Sequence, residues 1–568
     1  MNDFRRTILW VIFGFSLVLL WDQWQVHNGN KATFFPTPSQ QAKLAANAAS
    51  AVPQAAGVPA PVAQPGVTTV PAVETRAAHK ELVEVQTDVF KLSFDTEGGT
   101  LARAELLKHV DEQKPGSNIV LLDESKERVY TAQTGLISGG AGVVLPTHKT
   151  VMTVRPGSRK LKDGEDTLSI SFESPVQGGV KLVKTYTLKR GAYDIAVKHD
   201  IINTGAQEVL PQLYFQLVRD GNKPAGESSF YSTFTGPAVY TEAQKYQKVE
   251  FADIKKKKVE VEKQSTKGYV AMVQHYFASA WILPDGVTRN ISMDAVDIGS
   301  TVPDCCYRAT LIAPLEAVKP GQTHSMTANL YVGPQEENKL EALYPGLELV
   351  KDYGWLTIMA KPLFWLLDQL NRILNNWGWS IVALVVLLKA GFYWLNAHAY
   401  QSMAKMKAIN PKIMEMRERL KDNPQQMQME MMKIYREEKV NPMGGCVPIM
   451  IQIPVFIALY WVLLSTVEIR NAPWMGWIHD LSAPDPYFIL PLVMTLTTLL
   501  QTALNPAPPD PMQAKMMWIM PLAFSVMFFF FPAGLVLYWI TNNVLSIAQQ
   551  WMINTRMGVP PQFNLPKF

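Results

Sequence analysis

The sequence predicts a polytopic α-helical membrane protein with six transmembrane helices and one large external all-β domain. Three observations lead to this fold class. Six apolar runs, at residues 8–20, 380–395, 447–467, 487–504, 516–531 and 534–552, approach the length a helix needs to traverse a bilayer. Between the first two runs, residues 81–334 carry short alternating segments rich in β-branched residues and repeatedly broken by turn residues, the pattern of an antiparallel sheet or sandwich. Basic residues gather on one set of loops, as the positive-inside rule requires. The 568 residues are 48% hydrophobic and 18% charged, averages in which a membrane part and a water-soluble part are mixed. A formal charge of +4, from 53 basic and 49 acidic residues, gives no sign of direct nucleic-acid readout.

Residues 1–24 read as a signal anchor. Arg5 and Arg6 precede its apolar run, Trp21 and Trp24 follow it, and no small-residue cleavage site succeeds it. Residues 25–78, rich in Ala, Pro, Gln and Ser, read as a flexible linker. Residues 79–335 form the β domain, with strands expected within 83–94, 167–172, 181–188, 193–199, 210–218 and 325–331. Gly98 with Gly99, and Gly139 with Gly140, mark turns, because neither pair has the spacing or the lysine of a phosphate-binding loop. Lys255 to Lys258, beside Glu260 and Glu262, read as a solvated hairpin or turn.

Residues 336–379 hold a connector and an amphipathic helix opened by Pro362. Its stripe of Leu363, Leu366, Leu367, Leu370, Leu374 and Trp377 opposes Asp368, Arg372 and Asn375, which suits either the outer membrane interface or the surface of the soluble domain. The next crossings fall at 380–396, 446–467, 487–504, 516–532 and 533–553. Between 401 and 440 there are nine basic residues against six acidic ones, which keeps the segment 397–445 inside. Alternation then puts 468–486 outside, 505–515 inside and the tail 554–568 inside, so both termini are internal.

The segment 397–445 reads as a helical hairpin. Met406, Ile409, Ile413, Met416 and Leu420 recur every three or four residues, Asp422-Asn423-Pro424 interrupts them, and a second helix carries Met427 and Met431. The stripe serves either to pack the two helices together or to offer adaptable methionine to an apolar substrate.

Lys389 lies about 13 Å beyond Ser380, near mid-bilayer, at 1.5 Å of rise per residue. No acidic partner is apparent in the other long apolar segments. An intramembrane charge is costly and usually functional, so Lys389 either snorkels to mark a helix end or faces a water-filled groove. Gln452, Thr495, Thr497, Thr498, Gln501, Thr541, Asn542 and Asn543 interrupt the other apolar runs. Of these, Gln452, Thr541 and Asn542 are assigned to the same groove as Lys389, while packing between helices explains such residues almost equally well.

Catalytic and metal-binding signatures are lacking. There is no His-Glu-x-x-His, no Gly-x-Ser-x-Gly, no nucleotide loop and no paired-cysteine motif, and no cofactor is expected. The adjacent Cys305 and Cys306, with Cys446, read as inert thiols. A serine–lysine dyad with Lys389 finds no placement signal at Ser465, Ser525 or Ser546.

Several stretches carry a resemblance. Asn441-Pro442-Met443-Gly444-Gly445-Cys446, Pro448-Ile449-Met450-Ile451-Gln452-Ile453-Pro454, Trp477-Ile478-His479-Asp480-Leu481 and Phe531-Pro532-Ala533-Gly534-Leu535-Val536-Leu537-Tyr538-Trp539 are similar to the YidC/Oxa1/Alb3 membrane-protein insertase family. The resemblance covers essentially the whole chain. It implies a bacterial inner-membrane protein with five core crossings, a cytoplasmic hairpin and a periplasmic β-supersandwich joined by the extra first crossing. It further implies a non-hydrolytic insertase and chaperone, with nascent membrane proteins, the ribosome, the Sec translocon and membrane lipids as partners. Phe456, Tyr538 and Trp539 fall at substrate-contact positions. Lys389 stands where the family usually has arginine, and Val385 where it often has threonine. The alternatives are a small-solute transporter or channel, and a carbohydrate-binding periplasmic module with a membrane anchor.

Overall fold

The computed structural model describes residues 81–111, 114, 116–138, 143–224, 233–420, 423–438, 447–505, 511–556, 558 and 563. The expected signal anchor, the linker, the Gly139-Gly140 turn and the Asn441–Cys446 stretch lie outside the described residues. Two compact units divide at Asp352 and Tyr353.

The first unit is built on two nine-stranded antiparallel sheets. One runs in the order Leu82–Gln86, Phe90–Asp95, Thr100–Val110, Asn118–Glu124, Val129–Ser138, Pro211–Arg219, Tyr307–Pro314, Arg289–Ala295 and Gln264–Ser265. The other runs Lys245–Lys248, Gly236–Thr241, Tyr269–Gln274, Phe277–Ile282, Thr323–Pro334, Asp194–Asn203, Val180–Lys189, Thr167–Glu173 and Thr153–Val154. Outer strands such as Thr167–Glu173 alternate buried with exposed residues, whereas Pro211–Arg219, Tyr269–Gln274 and Phe277–Ile282 are buried throughout.

Rings from the two sheets meet in one apolar core. Phe94 lies 4.7 Å from Tyr186 and 5.5 Å from Phe172, and Phe215 lies 5.2 Å from Trp281. Polar side chains tie the sheets as well. Trp281 Nε1 donates to the Gln216 carbonyl at 3.2 Å, and the Tyr130 and Ser279 hydroxyls are 2.7 Å apart.

The expected strand within 83–94 is two strands. Thr87 breaks it, its Oγ1 accepting from the backbone N–H of Val89 and Phe90 at 3.2 and 3.0 Å, and the halves pair as a hairpin with Gln86 opposite Lys91. Gly98 and Gly99 do make a turn with positive φ; a Cβ on Gly98 would meet the His148 carbonyl oxygen at 2.3 Å. Of the basic run, Lys255 ends a short helix, Phe251–Lys255, and pairs with Asp304 at 2.6 Å, while Lys256 and Lys257 make an exposed turn, one of the two forms expected. Cys306 is buried with Val129, Val218 and Val302, and Cys305 packs against the same cluster.

Lys184 and His199 are fully buried near Thr134. The Lys184 ammonium donates to the carbonyls of Gly98 and Thr134 at 2.7 and 2.6 Å, and His199 Nε2 lies 2.9 Å from Thr134 Oγ1. Burial disfavours the charged form of each, pushing Lys184 down to about 7 and His199 down to about 3.

The second unit is helical: α1 (Thr357–Leu374), α2 (Trp377–Gly391), α3 (Tyr393–Arg419), α4 (Pro424–Glu437), α5 (Val447–Ser465), α6 (Ile489–Leu504), α7 (Pro511–Met527) and α8 (Ala533–Arg556). Pro362 lies inside α1 instead of opening it. The helix buries Ala360, Leu363, Phe364 and Leu367 against α2 and α5, while Ile358, Trp365 and Ile373 are exposed, so its apolar surface is wider than the single stripe expected. Asn375 closes α1 in the left-handed region, and the Asn376 side chain opens α2 by accepting from Trp379 N at 3.0 Å. Gly378 lets Trp474 approach to where a Cβ would sit 2.2 Å from its ring.

The crossing expected at 380–396 ends at Gly391. The chain turns by 68° between Trp377–Gly391 and Asn396–Met406 and continues as the first hairpin helix, which thus begins at Tyr393. That bent pair together is long and apolar enough to cross a membrane; among the described residues no single helix is. The helical unit is a membrane-associated helical region in which six separate spans are not shown among the described residues, and the prolines inside α5 and α7 are in keeping with the irregular bundle expected.

Asp485 holds the loop before α6. Its Oδ1 accepts from Trp477 Nε1 and Tyr487 N, both at 3.0 Å, and its Oδ2 from Leu490 N at 2.7 Å, with the residue 1% exposed. The same loop receives the start of α8, where Ala533 N and Gly534 N donate to the carbonyls of Ala483 and Leu481.

Two outcomes are expected. In the β unit the unfolded chain holds more protons than the native state wherever Lys184 or His199 is depressed. Stability from His199 is thus present above its ordinary 6.5 and lost as pH falls toward 3, and that from Lys184 rises between about 7 and 10.5. Urea midpoints measured against pH should show both slopes, and Lys184→Met should flatten the alkaline one. In the helical unit, Asp485→Ala leaves three donors unmet and should cost about 2–3 kcal/mol in detergent unfolding, with a smaller loss for Asp485→Asn.

Candidate functional site

α8 organises the site because its polar residues fall on two faces. Asn543 and Gln550, seven residues apart, point at α6: Asn543 Nδ2 donates to Thr498 Oγ1 at 2.9 Å and to Thr497 Oγ1 at 3.2 Å, and Gln550 Nε2 to Asn505 Oδ1 at 3.2 Å. Thr495, Thr497, Thr498 and Thr502 also bond back to carbonyls of their own helix. These α6 threonines therefore serve packing between helices.

The other face carries Asn542, Ser546 and Gln549, spaced four and three apart. Lys389, half-buried on α2, donates from Nζ to Ser546 Oγ at 2.7 Å, and the Ser546 hydroxyl donates to the Asn542 carbonyl at 2.6 Å. Tyr400, on α3 beyond the bend, lies near the same Ser546. No ion pair of Lys389 with an acidic residue occurs among the described residues, so its charge faces a neutral acceptor. Gln549 is 8% exposed, and both ends of its amide have no hydrogen-bond partner among the described residues, a desolvation cost the protein does not itself offset.

The expected groove residues are thus placed unequally. Lys389 and Asn542 share the Ser546 cluster. Thr541 turns its hydroxyl back to the Leu537 carbonyl at 2.8 Å, and only the backbone of Gln452 is described. Val385 is buried in the apolar core of the bundle. Phe456, Tyr538 and Trp539 come together: the Phe456 ring lies 6.0 Å from Tyr538, stacked, and 4.6 Å from Trp539, edge-on, and Phe528 joins at 5.2 Å from Trp539. Tyr538 is only 3% exposed, so Phe456 and Trp539 form the accessible side of this cluster.

In the hairpin, Ile409, Ile413 and Met416 are buried with Met406, Leu420, Met427, Met431, Ile434 and Tyr435. The stripe is the seam between α3 and α4; the thioethers turned outward are Met414, Met429 and Met432. Ser546 and Tyr400 escaped the sequence reading of the groove. The signal for Ser546 was its spacing, one turn beyond Asn542 on the face that also carries Gln549.

The serine–lysine pair does not have the arrangement of a hydrolytic dyad, because lysine donates and the serine proton is committed to a carbonyl. No cluster of three or more His, Cys, Asp or Glu able to hold a metal occurs among the described residues.

Comparisons with known proteins agree along the chain. Residues 82–366 match the YidC periplasmic domain family and residues 369–559 the 60Kd inner membrane protein family. The Membrane protein insertase YidC of Cupriavidus metallidurans is 54% identical over 98% of both chains, and that of Burkholderia multivorans 51% identical over 98% of this chain and 99% of its own. A solved structure of an active YidC insertase with the first transmembrane domain resolved aligns with 84% of this chain and 92% of its own, at 19% identity and a TM-score of 0.38, too loose a superposition to bear on the site. From its N-terminal β unit to the last turns of α8, the chain belongs to the YidC family of membrane protein insertases.

Proposed function

We propose that this protein inserts nascent membrane proteins into the bacterial inner membrane and assists their folding, alone or with the Sec translocon. The observation that carries the reading is the Lys389 ammonium, half-buried and held by a neutral hydroxyl, with the unmet Gln549 amide on the same face of α8. A polar or acidic leader segment satisfies such groups, which lowers the barrier to its passage. The following hydrophobic segment then slides along Phe456, Tyr538 and Trp539 into lipid. Burying about 20 apolar residues drives this step without ATP hydrolysis by the protein.

In this reading the chain crosses the membrane six times with both termini in the cytoplasm, and the β domain is a periplasmic supersandwich. The hairpin meets ribosome-bound chains first. Charge counts on the loops support that orientation, and the 54% identity to a named insertase over 98% of the chain supports the activity.

Crosslinking from Phe456 and Trp539 to ribosome-bound nascent chains in native membranes, with and without the secretion channel, tests the reading. Labelling of membrane-protein chains is expected; solute-dependent flux without labelling would indicate a transporter. Lys389→Arg should retain insertion, while Lys389→Ala should lower it about tenfold for precursors with acidic translocated segments, relative to matched neutral ones, the effect of roughly 1.4 kcal/mol. Deleting residues 76–332 should leave substantial insertion by the membrane core, read by protease protection of the same precursors; complete loss from a folded, abundant variant would show the β domain to be required.

A further inference from the structure

We propose that Ser546 is the positioning residue for Lys389, an inference that rests on reading Lys389 as the attractor of acidic segments. Lysine carries a compact charge on a flexible four-carbon stem, without the rigid donor fork of arginine. Its direction must therefore be imposed by a partner. Ser546 supplies that partner: its oxygen accepts from Lys389 Nζ at 2.7 Å, and its own proton goes to the Asn542 carbonyl at 2.6 Å. A hydroxyl has one proton to give and two lone pairs to receive. With the proton committed, it meets the ammonium as an acceptor.

Ser546 is 2% exposed, so water does not compete for this oxygen. The contact joins α2 to α8 at a single point. Among the described residues one of the three ammonium donors of Lys389 is used, which leaves two for an arriving carboxylate.

The test uses the full-length protein in liposomes, with matched precursors whose translocated segments are acidic or neutral. Ser546→Ala should lower insertion of the acidic precursor about fivefold and leave the neutral one unchanged, and Ser546→Thr, which keeps the hydroxyl, should restore it. In a Lys389→Ala background, Ser546→Ala should change neither. Equal losses for both precursors, or the same fivefold loss without Lys389, would overturn the proposal. Should Ser546→Ala fail to accumulate, Ser546→Cys, similar in volume and a weaker acceptor, takes its place.

Acylation of Lys389 by an amine reagent, followed by peptide mass, reads the positioning without any insertion step. The rate should rise severalfold once the acceptor is gone, and an unchanged rate would overturn the proposal. If Lys389→Ala leaves the acidic-to-neutral ratio as in the wild type, the attractor reading fails, while the acylation rate still decides the role of Ser546.

Discussion

A polar group withdrawn from water must be met by a partner, and in the helical unit this requirement falls chiefly on α8. Its buried Asn542, Asn543, Ser546, Gln549, Gln550 and Asn554 cannot face hydrocarbon without heavy desolvation cost. Two neighbours therefore flank it: α6 answers one face with threonine hydroxyls, and α2 answers the other with Lys389. The remaining helices pack outward from this polar spine. α1 covers α2 and α5 with purely apolar side chains, and the loop held by Asp485 anchors the first turn of α8.

The β unit meets the same requirement differently. Lys184 and His199 sit in a core with no acidic partner among their hydrogen-bonding groups, and carbonyls and a threonine hydroxyl surround them instead. Such a core favours the neutral forms. The large apolar interface between the sheets, with Phe94, Tyr186, Phe215 and Trp281 in contact, surrounds these two groups, and their hydrogen bonds to carbonyls and a hydroxyl offset part of the cost of burying them.

Periodicity made the broad plan legible. Alternation within 167–172, 181–188 and 193–199 corresponds to strands at Thr167–Glu173, Val180–Lys189 and Asp194–Asn203, and the three- and four-residue repeat of Met406 to Leu420 runs along a helix. What stayed hidden depended on single side chains or on tertiary contact. Thr87 splits one alternating run into a hairpin through two bonds to its own backbone, which no hydrophobic pattern records. The turn after Gly391 interrupts a continuous apolar run because Phe392, Tyr393 and Trp394 preserve hydrophobicity while the helix ends. Lys389 was visible as a charge in an apolar run. Ser546, 157 positions away in the chain, became its partner only when α2 and α8 were brought together.

The shortness of α2 has a consequence for the lipid around it. Its 15 residues extend about 22 Å along the axis, against a hydrocarbon core of about 30 Å. The α6 and α7 helices, of 16 and 17 residues, are only slightly longer. A helix shorter than the hydrocarbon core is matched by thinning of the bilayer, by snorkelling of its flanking side chains or by association with other helices, and the turn after Gly391 lets the bent pair make up the length that α2 lacks.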